Sequence, residues 1–110
     1  MPEPFAPVTP ETRDLYTRLL EAIATIGPFR VDVKKTSLHL MRRIAFAGVH
    51  PGKNFLLLTI RAKEPIESAR VIKAEQVSRS RWRMDLHLNS PAEIDAELLS
   101  WLRTAYEYCG

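Results

Sequence analysis

The chain has 110 residues, of which 45% are hydrophobic and 26% are charged, and its formal net charge is +3. This balance matches an ordinary globular composition and leaves no room for a second hydrophobic core. A domain of this length buries roughly two-thirds of the surface of its unfolded chain, so it requires neither disulfides nor a structural metal. We expect one folded domain, residues 9–110, preceded by a loose proline-containing arm, residues 1–8.

The cellular compartment is indicated by what the sequence lacks. The single cysteine, Cys109, cannot form an internal disulfide, which suits a reducing environment. The apolar runs are too short to span a bilayer. The opening MPEPFAPVTP has neither the basic start nor the apolar stretch of a signal peptide. We therefore expect a cytoplasmic protein with no membrane partner.

The first predicted element is a helix near the N-terminus. Thr9 followed by Pro10 is typical of a helix cap and a first-turn proline. Gly27 and Pro28 end the helical pattern. Between these signals, apolar residues recur at helical spacing at Leu15, Leu19, Ala22, Ile23 and Ile26.

The middle of the chain changes to a period of two. The turn at Pro51, Gly52 and Lys53 predicts a hairpin between the segments that flank it, and Glu64-Pro65 ends the run of strands. Residues 70–77 are ambiguous, but a short turn at Ser78 and Arg79 lets them pair with the following segment. The other predicted strands are residues 31–33, 37–41, 43–50, 54–62 and 80–89.

The last element is a second helix. The sequence SPAE predicts a capping box in which Ser90 and Glu93 satisfy each other's backbone donors. The apolar stripe that follows is Ile94, Leu98, Trp101, Leu102 and Ala105. Strand periodicity between two helical segments predicts an α+β fold, with an antiparallel sheet of five to six strands and the N- and C-terminal helices packed on one face.

The strand at residues 54–62 departs from simple alternation. Leu56, Leu58 and Ile60 fall on one face, but Phe55 and Leu57 make the other face apolar as well. Either the strand is central and covered on both sides, or its outer face offers an apolar patch to a ligand or to a second subunit. The second alternative would make the protein a homodimer.

Basic residues concentrate in the strand region. Residues 30–83 carry thirteen of the sixteen Lys and Arg residues but four of the thirteen acidic ones. In SRSRWRMDLHLNS (78–90), Trp82 and the apolar residues alternate with arginines, which predicts Trp82 in the core and the arginines exposed. These cations either solvate the sheet or form a footprint for an anion. The candidate anion-binding residues are Lys34, Lys35, Arg42, Arg43, Arg61, Arg81 and Arg83.

Two long stretches carry a family resemblance. RIAFAGVHPGKNFLLLTI (43–60) and WRMDLHLNSPAEIDAELLSWLRTAYEY (82–108) resemble the bacterial family catalogued as domain of unknown function 5655. The similarity covers roughly residues 10–108, with the same order of helix, strands and helix. It supports the fold and implies no site residue.

Motifs of catalysis and cofactor binding are missing from the sequence. His39, His50 and His87 lie far apart without a cysteine pair, and there is no glycine-rich phosphate loop or nucleophile elbow, so we expect no metal, no cofactor and no catalytic residue. The sequence favours a non-catalytic binding module whose basic sheet face takes nucleic acid or another polyanion. The alternative is a small-ligand domain or enzyme with a pocket between sheet and helices, where Tyr106, His39 or Lys35 supplies polar groups.

Overall fold

A computed structural model of the chain describes residues 9–52 and 54–110, and the predicted arm, residues 1–8, lies outside them. The described residues contain two α-helices, six strands and a 3-10 turn. No helix among these residues is long and apolar enough to cross a membrane. The elements are α1 (Pro10–Ala24), β1 (Arg30–Val33), β2 (Leu38–Met41), β3 (Ala45–Pro51), β4 (Leu56–Ala62), β5 (Lys73–Ser78), β6 (Arg81–Leu88), the 3-10 turn (Pro91–Glu93) and α2 (Ala96–Tyr108).

All six strands join one antiparallel sheet in the order β1-β2-β3-β4-β6-β5. The predicted hairpins between β3 and β4 and between β5 and β6 are both present. In the first of these turns, the Gly52 N–H donates to the Phe55 carbonyl oxygen at 2.8 Å. The predicted α+β class, with an N-terminal and a C-terminal helix packed against an antiparallel sheet, is confirmed.

One face of the sheet forms the core with both helices. Leu58 at the centre of β4 lies opposite Val49 of β3 and Leu86 of β6, and all three are buried. Leu19 of α1 and Leu102 of α2 belong to the same apolar cluster. We call this the helix face and the opposite one the outer face. Because side chains alternate along a strand, their neighbours on β4 point to the outer face.

The first helix begins where the sequence indicates. The Thr9 hydroxyl oxygen accepts a hydrogen bond from the Thr12 N–H at 3.2 Å, and Pro10 occupies the first turn, where it removes no hydrogen bond. The helix ends at Ala24, with Thr25 as its C-cap, before Gly27. Cap and periodicity together therefore located this helix to within a few residues.

The second helix begins later than the sequence predicts. Ser90 precedes only the 3-10 turn, where the Glu93 carboxylate accepts the Ser90 N–H at 3.0 Å. The N-cap of α2 is Asp95, which accepts the Leu98 N–H at 3.0 Å and binds Arg70 at the same distance. These donors, the Leu98 N–H first, hold the pKa of Asp95 below its ordinary value. A second cap five residues downstream therefore overrides the first.

Candidate functional site

The outer face carries an open groove of about 290 Å³ across β2, β3, β4 and β6. We call it the outer groove. Its lining combines cationic, imidazole and small side chains with segments of strand backbone. The lining residues are His39, Ala45, Phe46, Ala47, Gly48, His50, Thr59, Arg61, Val77, Arg81, Trp82 and Arg83.

Two register irregularities flank the outer groove. Pairing of β2 with β3 shifts between Leu40 and Met41, next to Ala45, and pairing of β5 with β6 shifts around Val77. Such bulges bend the strand, increase its twist and re-aim side chains. Ala45 and Val77 line the groove from strands on either side of β4 and β6. Both irregularities therefore lie at the borders of the outer groove.

The floor of the outer groove is a small residue beside a fixed polar pair. Gly48 lies opposite Thr59, and a Cβ atom added at Gly48 would come no closer than 3.9 Å to its neighbours, which is ordinary van der Waals contact. The Thr59 hydroxyl donates to the Asp85 carboxylate at 2.9 Å, and Asp85 is buried. A Cβ atom at Gly48 therefore fits in ordinary contact, and Asp85, which is not itself a lining residue, already accepts a hydrogen bond from Thr59.

Three predicted arginines converge in the outer groove. Arg61 and Arg83 are direct cross-strand partners on β4 and β6, and Arg81 lies two residues before Arg83. No Asp or Glu is among the described residues that line the groove. Within the described chain, the guanidinium groups of Arg61 and Arg81 have no ion-pair partner. Like charges directly opposite each other destabilise a sheet, so the pairing of Arg61 with Arg83 costs stability.

Acidic groups stand at one border of this cationic cluster. The Nε atom of Arg83 lies 3.8 Å from an Asp85 carboxylate oxygen, and Glu75 is the cross-strand neighbour of Arg83 on β5. The Glu75 carboxylate also lies 3.6 Å from the Nζ atom of Lys73. Arg83 is therefore partly neutralised, whereas no described acidic side chain forms an ion pair with Arg61 or Arg81.

Two histidines complete the lining. His39 lies opposite Gly48, and His50 lies two residues further along β3 on the same face. The sequence predicts His39 in a pocket between sheet and helices and predicts no role for His50, although the period of two places His50 and Gly48 on one face. Their imidazole rings add hydrogen-bonding groups to the lining. Among the residues that the structure describes, no group of three or more His, Cys, Asp or Glu side chains could hold a metal ion.

The two predicted lysines lie away from the outer groove. Lys34 and Lys35 are in the turn between β1 and β2, and the Nζ atom of Lys34 is 2.9 Å from an Asp32 carboxylate oxygen. That ammonium group, more than any other, lowers the pKa of Asp32. The structure therefore does not bring these two lysines together with Arg61, Arg81 and Arg83.

Arg42 and Arg43 instead meet the end of α2. The guanidinium of Arg42 lies 4.0 Å from the centre of the Tyr106 ring and donates to the Tyr106 carbonyl oxygen at 3.0 Å. The backbone N–H of Arg43 donates to the Cys109 carbonyl oxygen at 3.1 Å. A cation is favourable at the negative end of a helix dipole, so Arg42 is engaged in the fold itself.

Cys109 connects the end of α2 to the wall of the outer groove. The buried thiol donates to the carbonyl oxygen of Ala45, one of the lining residues, at 3.6 Å. Burial raises the pKa of the Cys109 thiol, while the charges of Arg61, Arg81 and Arg42 act in the opposite direction. Arg61 and Arg81 of the groove are thus close enough to the end of α2 to influence this thiol.

The residues of the alternative pocket are dispersed. Tyr106 is buried, and its hydroxyl donates to the Pro28 carbonyl oxygen at 2.6 Å. His39 faces the outer groove, and Lys35 is exposed in the turn between β1 and β2. These three side chains therefore share no pocket between sheet and helices.

Trp82 differs from its predicted position. It is half-buried, borders the outer groove and lies outside the apolar core cluster, where the sequence predicts it. Its cross-strand neighbours are Ala62 and Gln76, near the end of the sheet. Alternation along β6 predicted correctly which face Trp82 occupies. It could not show that the apolar core cluster ends before Trp82.

The apolar outer side of β4 is covered by neighbouring side chains. Leu57 is half-buried between His50 and His87, its partners on the two adjacent strands. The ring of Phe55 lies 4.6 Å from that of His87. The strand is central, as one alternative requires, but among the described residues no helix or further strand packs over its outer side.

Comparison with protein-family models identifies a family for the chain. The chain matches the family described as Domain of unknown function (DUF5655) over residues 4–108. It therefore belongs to that family, as the two resembling stretches indicate. Comparisons with curated proteins and with solved structures found no match.

Proposed function

We propose that the protein is a non-catalytic binding module whose outer groove takes an anionic partner, with single-stranded nucleic acid as the favoured class. The observation that carries the proposal is the pairing of Arg61 with Arg83 in a groove without acidic lining. Phosphates would relieve the repulsion between these guanidiniums and gain charge-assisted hydrogen bonds.

The shape of the site supports an extended ligand. The outer groove is open and lies on the surface of a sheet, so a chain of phosphates can pass through it. Its imidazole groups from His39 and His50 offer planar surfaces and hydrogen-bonding groups for bases. Recognition by backbone charge and stacking requires no base-specific contact, so we expect little sequence preference.

The compartment forms part of the same proposal. A single buried cysteine fits a reducing environment, such as the cytoplasm of a bacterial cell, where nucleic acid is available. Nothing in this mode of binding calls for a metal or a cofactor.

Removing two of the groove cations should weaken binding without unfolding the protein. Arg81 and Arg83 are exposed, so their joint replacement by Ala is expected to reduce affinity for a fluorescein-labelled single-stranded DNA of about 12 nucleotides by roughly tenfold. The slope of log affinity against log salt should fall by about 0.7 for each lost phosphate contact. Fluorescence anisotropy between about 50 and about 200 mM salt measures both quantities.

The matched control removes two cations elsewhere. Lys34→Ala with Lys35→Ala changes the net charge by the same amount, but these lysines lie outside the outer groove. We expect this double variant to keep nearly the full affinity and slope of the unmodified protein. Equal losses of affinity in the two double variants would show that net charge alone drives the interaction. They would contradict a site in the outer groove.

A further inference from the structure

The strand β5 leaves one edge of the sheet unpaired. All six of its residues are exposed, and Val77 retains 51% of its accessible surface. An edge strand presents a row of free backbone N–H and C=O groups that can template pairing with another chain. Neither proline nor a covering helix blocks β5 among the described residues.

We propose that β5 pairs antiparallel with β5 of a second copy of this chain, in a register centred on Ala74. The two sheets would then join into one sheet of twelve strands with continuous faces. A two-fold axis through the sheet produces such a contact, because each copy offers the other the same strand.

The charges of β5 select this register. The outer faces of both copies lie on the same side only if the two-fold axis passes between a residue and the same residue of the second copy. Centring on Lys73 or on Glu75 opposes like charges, which destabilises the pair, and centring further along β5 gives neither residue an oppositely charged partner within the strand. Centring on Ala74 instead opposes Lys73 of each copy to Glu75 of the other, and both residues are exposed on the outer face.

The neighbouring strand extends this complementarity. Within one copy, Lys73 lies opposite Asp85 of β6 and Glu75 lies opposite Arg83. Across the proposed junction the row would run Asp85, Lys73, then Glu75 and Arg83 of the second copy, with the sign alternating at every step. The two-fold axis generates the same row in the other direction, so both rows are complementary.

The opposite edge of the sheet is a poorer template. β1 has four residues against six in β5, and its Asp32 pairs with Lys34 at 2.9 Å, more closely than Lys73 pairs with Glu75 within β5, at 3.6 Å. The looser Lys73–Glu75 pair is the more easily exchanged for an ion pair across a junction, so we place the second copy on β5. Pairing through β5 also places the two outer grooves on the same face of the joined sheet. The dimer would therefore present two grooves, whereas the proposed function concerns a single groove.

Charge reversal on β5 tests the register directly. In Lys73→Glu, two Glu residues face each other across the junction, and in Glu75→Lys two Lys residues do so. Sedimentation of each variant, without nucleic acid, should show dimer affinity reduced by about tenfold or more. An equimolar mixture of the two variants should recover association, because each Glu then faces a Lys.

Three further measurements decide the proposal. Far-UV circular dichroism should be unchanged in both variants, since Lys73 and Glu75 are exposed, and Asp32→Lys on the other edge should leave association intact. An unmodified protein that is monomeric at about 100 µM would overturn the proposal. So would variants that associate like the unmodified protein, a mixture that stays monomeric, or dissociation by Leu57→Lys alone, which would move the contact to the outer face. Because no oligonucleotide is present, these results stand apart from the outcome for the outer groove.

Discussion

Replacement of Phe46 by Ala should lower the free energy of unfolding by about 3–5 kcal/mol. Phe46 has no accessible surface and packs edge-to-face against Phe29 and Tyr106, with ring centres 6.0 and 5.4 Å away. Truncation removes these contacts and leaves a cavity between β3, α2 and the segment before β1. Urea denaturation, with the m-value compared between variants, measures the loss.

A conservative change provides the control for this prediction. Phe46→Leu retains most of the buried apolar volume, so we expect it to cost clearly less than Phe46→Ala. A loss below about 1 kcal/mol for the alanine variant would show that the site collapses easily or that the aromatic cluster is loosely packed.

Gly48→Glu should weaken binding of single-stranded DNA by more than about tenfold while leaving the fold intact. A Cβ atom at Gly48 would make only ordinary contacts, and the backbone conformation of Gly48 does not require glycine. The added carboxylate would stand in the outer groove beside Arg61 and Arg83, where it repels phosphate and competes for the guanidiniums. Anisotropy titrations and thermal denaturation measure the two effects separately.

Two smaller changes at Gly48 separate charge from volume. Gly48→Ala adds one methyl group in ordinary contact and should bind like the unmodified protein. Gly48→Gln has nearly the volume of Glu without its charge, so an intermediate affinity is expected. If Gly48→Glu bound DNA as strongly as Gly48→Ala, the outer groove would not be the site.

The fold could be predicted from the sequence because its signals are local. Thr9 and Pro10 mark the start of α1, and the alternation of Leu56, Leu58 and Ile60 identifies the buried face of β4. The second helix was placed too early because Ser90 and Asp95 are both competent caps. Local pattern alone cannot decide which of two caps tertiary contacts, such as that of Arg70 with Asp95, will favour.

The candidate site was predictable in part. Alternation indicated that Arg81 and Arg83 are exposed, and the structure brings them together with the half-buried Arg61 in the outer groove. Alternation in the sequence could not show that Arg42 packs on Tyr106, because that contact spans 64 residues of sequence. Nor could it reveal the bulges at the borders of the outer groove, since a bulge depends on how two strands pair rather than on either strand alone.

The labelling rate of the buried Cys109 thiol can be used to follow opening of the last turn of α2. The thiol has a raised pKa and no accessible surface, so it is unreactive while the last turn of α2 packs against Ala45. An alkylating reagent can reach it only when this turn detaches. The labelling rate therefore reports the free energy of a local opening that need not unfold the sheet. Since Ala45 lines the outer groove, a ligand that stabilises this wall should slow the labelling without touching the cysteine.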